Sequence, residues 1–212
     1  MVFRHRVAAA RPALNQRGPS FVLRGAGLLE FLIALLIFST GMTGVMAAQL
    51  ASKRAMFDAR QQSVAAALAA DMLARIAANP SQVTAYAAAS AGDAENARPE
   101  PAVNCHHSLC TPEQLVLFDL WLWEGALLGA AATDHEVKTG GLIAPRACFQ
   151  YAAPLLTLTL SWRSSAGSFA GESTAMACGS LVEGVYDAGD AEAGNNRLAR
   201  QLQLSSFVPG SP

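Results

Sequence analysis

The chain has 212 residues, 52% of them apolar and 15% charged, with a formal net charge of −1. That is room for one globular domain plus a membrane segment. Five arginines (Arg4, Arg6, Arg11, Arg17 and Arg24) precede the first long apolar run and no Asp or Glu does, so the rest of the chain, with 10 Lys and Arg against 16 Asp and Glu, carries about −6. An acidic body excludes the cationic footprint that nucleic-acid binding needs.

Residues 1–25 read as a basic leader without packed structure. The positive-inside rule keeps this leader in the cytoplasm and sends the remainder across the inner membrane, as a single pass with a periplasmic C-terminal part. Gly25-Ala26-Gly27-Leu28-Leu29-Glu30 follows, then Phe31 to Phe38 and further apolar residues to Ala48. About 20 apolar residues span ~30 Å of hydrocarbon. A carboxylate at the edge of such a run costs a few kcal/mol, so Glu30 is a functional residue by default. A secretory signal peptide cut after Ala47, where Val45-Met46-Ala47 loosely fits a small-residue site, is one competing reading. An uncleaved signal anchor is another. Neither needs Glu30.

From Ala26 to Asn79 there is no Pro, and Ala, Leu, Gln and Met abound. One long helix is expected, ~80 Å at 1.5 Å per residue. Gly41 and Gly44 soften it without fixing a kink. Residues 26–50 form its membrane part. Residues 51–79 turn amphipathic: Lys53, Arg54, Asp58, Arg60, Asp71 and Arg75 supply a polar face, while Phe57, Val64, Leu68, Met72, Leu73 and Ile76 recur three to five apart. A strict heptad is missing, which favours packing on a sheet over a coiled coil. Asn79-Pro80 stops the helix.

Residues 80–212 make the head. The stretch 80–110, rich in Ala, Ser, Pro and Asn, reads as a surface loop. Thr111-Pro112-Glu113-Gln114 then starts a second helix, with Thr as N-cap, Pro at the first position and Gln three after the cap, running to Leu128 and ending at Gly129. Strand signals follow at Ala147–Tyr151 and at Leu155–Trp162, where leucines alternate with Thr157, Thr159 and Ser161. A turn at Gly167–Gly171, a returning strand at Glu172–Cys178 and a closing strand at Arg200–Val208 complete the pattern. The expected fold class is α+β, a long N-terminal helix packed on a small antiparallel sheet.

Cys105, Cys110, Cys148 and Cys178 all lie beyond the apolar run, and an even count in an exported domain reads as two disulfides. Three pairings are open. Cys105–Cys110 with Cys148–Cys178 is favoured, because the first brackets a short loop and the second ties strand regions together. Cys105-His106-His107-Ser108-Leu109-Cys110 fits a disulfide loop better than a zinc site. The acidic run Asp187–Asn196 has calcium-type oxygens but lacks the EF-hand spacing. Trp121, Trp123 and Trp162 read as core or interface. No nucleophile elbow and no phosphate-binding glycine loop occurs, so neither enzyme activity nor a cofactor or metal is expected.

A basic leader ending in Gly25, with Glu30 at the fifth position after it, resembles the processing site of type IV prepilins and pseudopilins. The resemblance implies that prepilin peptidase cuts between Gly25 and Ala26 and methylates the new amine. Glu30 then neutralises that amine as subunits dock. Ala26 stands where the family usually has Phe or Met, and Gly41 and Gly44 stand where many major pilins have Pro. Downstream, Cys110-Thr-Pro-Glu-Gln-Leu115 leading to Asp119-Leu120 and Trp123, the Leu155–Trp162 strand ending in Trp-Arg, and the closing Arg-Gln-Leu-Gln-Leu resemble the PilV type of minor pilin. Thr139-Gly140-Gly141 replaces that type's Pro-Gly-Gly turn. The resemblance implies a structural protein that primes type IV pilus assembly with other minor pilins and the major pilin. It also implies a place at the pilus tip, where a tip adhesin can be carried, in fibres serving attachment and twitching motility. A minor pseudopilin of a type II secretion system shares the N-terminal pattern. A membrane-anchored periplasmic binding module is the alternative from another class.

Overall fold

A computed structural model describes residues 27–130, 133–134, 137–138, 140–165, 178–179, 185–187 and 196–209. The chain divides into two compact units, Met1–Ala47 and Ala48–Pro212.

Helix α1 is continuous over Leu28–Ala78, through Gly41 and Gly44. In the first unit its large apolar side chains face outward: Leu28, Phe31, Leu36, Ile37 and Phe38 are each more than 60% exposed. In the second unit it becomes one-sided. Ala65, Ala69, Met72 and Ile76, spaced four, three and four apart, are buried and keep one stripe facing the core.

The second unit is α+β. After α1 come a short 3-10 helix (Pro80–Gln82), α2 (Val83–Ala87), β1 (Ser90–Ala91), α3 (Pro112–Leu127), β2 (Thr133–Asp134), β3 (Val137–Lys138), β4 (Arg146–Ala152), β5 (Leu155–Arg163) and β6 (Ala199–Phe207). Strands β1, β4, β5 and β6 lie in that order in one antiparallel sheet, and β2 and β3 pair antiparallel in a separate two-stranded sheet. Register places Ala147 opposite Leu160, Phe149 opposite Leu158, and Leu202 and Leu204 opposite Leu160 and Leu158. One sheet face is therefore apolar and joins α1 and α3 in a single core.

The stretch 80–110 is not a plain surface loop. It carries α2 and β1, with Val83, Tyr86 and Ala91 all buried. These isolated apolar residues in an Ala- and Pro-rich stretch carry no periodic signal. Their burial comes from partners far along the chain, with β1 pairing to β4. The expected turn at 167–171 and strand at 172–177 lie outside the described residues, and Cys178 sits in a bend.

Helix α3 starts as its residues dictate. The Thr111 hydroxyl accepts from the Gln114 N–H (3.3 Å) and the Gln114 side chain accepts from the Thr111 N–H (2.9 Å). This reciprocal cap satisfies two orphan donors and stabilises by about 1 kcal/mol. At the other end Gly129 takes φ 82°, and a Cβ there would stand 2.6 Å from the Gly141 nitrogen. The chain thus returns against the helix end, where the Leu142 N–H donates to the Leu127 carbonyl (2.9 Å).

Candidate assembly helix and the head that carries it

Glu30 lies in the first turn of α1, exposed, in an otherwise apolar segment. Acid in a first turn is favoured by the helix dipole. Gly25 and Ala26, the expected processing positions, lie outside the described residues. The segment's hydroxyls are satisfied within the helix: Ser39 and Thr40 donate to the Leu36 carbonyl (both 3.0 Å) and Thr43 to that of Thr40 (2.8 Å). Each of these hydroxyls is then paired without water, as an apolar surrounding requires. A long stretch of this helix is strongly apolar with none of it buried. By length and composition it is apolar enough to cross a membrane.

In the second unit, polar side chains tie α1 to the head. Asp58, half-buried, accepts from the Ser164 hydroxyl (2.9 Å) and from the N–H and hydroxyl of Ser165 (both 3.0 Å) at the end of β5. Burial opposes its ionisation, but these hydrogen bonds and nearby Arg200 hold its carboxyl below the ordinary 3.8. The Gln61 side-chain amide bridges the turn before β4, donating to the Gly141 carbonyl and accepting from the Ile143 N–H (both 3.3 Å). The Trp123 indole donates to the Leu68 carbonyl (2.8 Å).

Two buried carboxylates on α3 hold the rest. Asp119, part of the Asp-Leu-x-x-Trp pattern, accepts from Arg75 of α1 (2.9 Å) and from the Tyr86 hydroxyl of α2 (2.7 Å). Burial, then the neighbouring Asp119, raise the Tyr86 phenol above its usual value. Glu124 accepts from the backbone N–H groups of Gly92 (2.8 Å) and Arg98 (2.9 Å), which pins the 92–98 segment to the helix. Sequence reading singled out neither carboxylate as a tether. The polar partners of Asp119 are 44 and 33 residues away in the chain. Both carboxylates are engaged by hydrogen bonds that tie α3 to other elements.

Disulfides join Cys105 to Cys110 and Cys148 to Cys178, with Cα atoms 5.6 and 5.7 Å apart. The first closes an exposed loop whose His106 ring meets Phe118 edge-on at 5.0 Å. The second brings Cys178 over the polar face of the sheet, where the Ser161 hydroxyl donates to its carbonyl (2.9 Å). Trp123 and Trp162 are core residues, whereas Trp121 is part-exposed and lines a groove of about 380 Å³ with Arg75, Arg98, Gly125 and Leu128. Among the described residues no cluster of three or more His, Cys, Asp or Glu could hold a metal ion. Most of the Asp187–Asn196 run lies outside the described residues.

Residues 47–121 match the family model described as Tt1218-like, Type IV pilin Tt1218. No curated protein and no solved structure matches the chain. The matched stretch begins beyond most of the apolar segment and excludes Glu30, so it and the N-terminal pattern are independent observations. A long apolar helix joined to a four-stranded antiparallel sheet agrees with the pilin fold, and the apolar helix fits a membrane anchor. Together these findings support the type IV pilin superfamily, a structural family whose members assemble with one another into a pilus.

Proposed function

We propose that this chain is a PilV-type minor pilin that helps initiate type IV pilus assembly and sits at the pilus tip. It has no enzyme activity in this reading. Residues 1–25 are a leader removed between Gly25 and Ala26 by prepilin peptidase, which also methylates the new amine. Residues 26–50 hold the protein in the inner membrane as a single pass and later pack among other pilins. Residues 51–79 continue the helix into the periplasmic head, 80–212.

The observation that carries the reading is Glu30 in the first turn of an exposed apolar helix, directly after a basic stretch ending in Gly25. A cleaved chain presents a positive amine there, and an unpaired charge in a low-dielectric medium costs several kcal/mol. Glu30 offsets that cost for the amine of a docking subunit. The Glu30→Ala protein should remain in the membrane fraction yet be lost from sheared fibres by roughly tenfold or more, which is about 1.4 kcal/mol of recruitment. Undiminished incorporation into fibres would remove the charge-pairing role and with it the pilin mechanism.

A further inference from the structure

Strand β6 is an edge strand of the four-stranded sheet. Its hydrogen-bonding parity follows from the two ends of its ladder with β5. The Ser164 N–H donates to the Leu198 carbonyl (2.8 Å) and the Val208 N–H to the Pro154 carbonyl (2.9 Å). These pairs continue the register Trp162 to Arg200, Leu160 to Leu202, Leu158 to Leu204 and Leu156 to Ser206. Antiparallel pairs alternate between bonded and non-bonded, so Arg200, Leu202, Leu204 and Ser206 turn their peptide groups toward β5. Gln201, Gln203 and Ser205 turn theirs outward. Among the described residues nothing bonds those outward groups.

Natural edges are usually blunted by Lys, Pro or a bulge. From Gln201 to Phe207 there is no charge and no Pro, and β6 runs unbulged against β5. Leu202 and Leu204 on the core face are only partly buried, which leaves their outer flanks uncovered. Phe207 is 69% exposed.

We propose that this edge pairs with the same edge of a second copy of the chain, antiparallel and two-fold symmetric about Gln203. The sequence of the strand selects that partner and that register. With the axis at Gln203, Leu202 faces Leu204 of the partner subunit and each covers the other's open flank. Gln203 faces Gln203 of the partner subunit, and Gln201 faces Ser205 of the partner subunit. Arg200 faces Ser206 of the partner subunit, which keeps the two Arg200 side chains ~20 Å apart along the strands. Moving the axis to Leu204 sets Leu202 against a serine instead. The outward groups of Gln201, Gln203 and Ser205 supply about six interchain hydrogen bonds. The contact is isologous and closes on itself, and it doubles the four-stranded sheet.

The test is site-directed cross-linking of the full chain in intact membranes, under mild oxidation. In a hydrogen-bonded antiparallel pair the two Gln203 Cα atoms stand ~5.5 Å apart, within disulfide reach. The two Gln201 positions stand ~13 Å apart. Gln203→Cys should give a covalent dimer of this chain, and Gln201→Cys alone at least tenfold less. Co-expressed Gln201→Cys and Ser205→Cys chains should cross-link to each other. Gln203→Lys, which sets a charge against itself, should abolish the non-covalent dimer while the four native cysteines stay unreactive to maleimide, as in a folded head. A monomeric Gln203→Cys protein, equal cross-linking at Gln201 and Gln203, or capture of a different protein at Gln203 would each overturn the proposal. The contact uses no N-terminal residue, so Glu30→Ala should leave the cross-link unchanged and the two readings fail separately.

Discussion

At the scale of single residues, the head depends on charges placed where water is scarce. Asp119 is 5% exposed, and its two oxygens are taken by Arg75 and Tyr86. Breaking a buried charge pair by removing one partner costs roughly 3 kcal/mol. Asp119→Ala should therefore lower the unfolding free energy of the detergent-solubilised protein by about that much. Asp71→Ala should change it by less than ~0.5 kcal/mol, because the Asp71–Arg75 pair is largely solvated, with the Asp71 side chain 47% exposed. The Asp58 carboxyl is held below 3.8, so its contribution is present above that pH and lost as the pH falls through the lower folded value. Asp58→Asn should flatten stability against pH below about pH 4. Burial pushes the Tyr186 phenol up to about 12, so its contribution is full below about pH 10 and is lost as the pH rises toward 12. Tyr186→Phe should reduce the alkaline loss.

At the scale of elements, the two disulfides differ in what they close. Cys148–Cys178 spans 30 residues and Cys105–Cys110 only 5. Loop-closure entropy assigns about 4 kcal/mol to the longer loop and about 2 kcal/mol to the shorter. Replacing Cys148 and Cys178 together by Ser should lower the unfolding midpoint in denaturant clearly more than replacing Cys105 and Cys110. Equal losses would mean that the longer loop is already restrained in the unfolded chain. The elements best read from sequence are those with local signals. Thr111-Pro112-Glu113-Gln114 announces a capped helix, Leu155–Trp162 alternates, and Ala26–Asn79 holds no breaker until Asn79-Pro80. Each lies within one or two residues of its observed bounds. The α2–β1 stretch was illegible because Val83, Tyr86 and Ala91 are buried by α3 and β4, not by a pattern of their own. Thr159 and Ser161, on the sheet face opposite the leucines, are buried at 6% and 0% exposure. Cys178 is carried over that face by its disulfide, and Ser161 donates to its carbonyl. No periodicity encodes such a cover.

At the scale of the whole molecule, the chain joins an apolar segment with outward-facing side chains to a head built for tight tethering. The N-terminal pattern is legible because its chemistry is local: a basic leader, a glycine, then one carboxylate five positions on. The tethers of the head were not, since Asp119–Arg75, Glu124–Gly92 and Asp58–Ser165 link positions that only the fold brings together. The match over residues 47–121 supports the pilin superfamily from the second half of α1 through α2 and β1 to the first ten residues of α3. Processing at the N-terminus decides between a pilin and an anchored or secreted domain. The most direct measurement is the N-terminal residue of the membrane-extracted protein, by mass spectrometry, in cells with and without prepilin peptidase. A methylated start at Ala26 that disappears without the peptidase is the predicted result. A start at Met1 in both strains, or a start at Ala48 after a signal-peptidase cut, would contradict the account and leave the head as an anchored or secreted domain outside the pilus pathway.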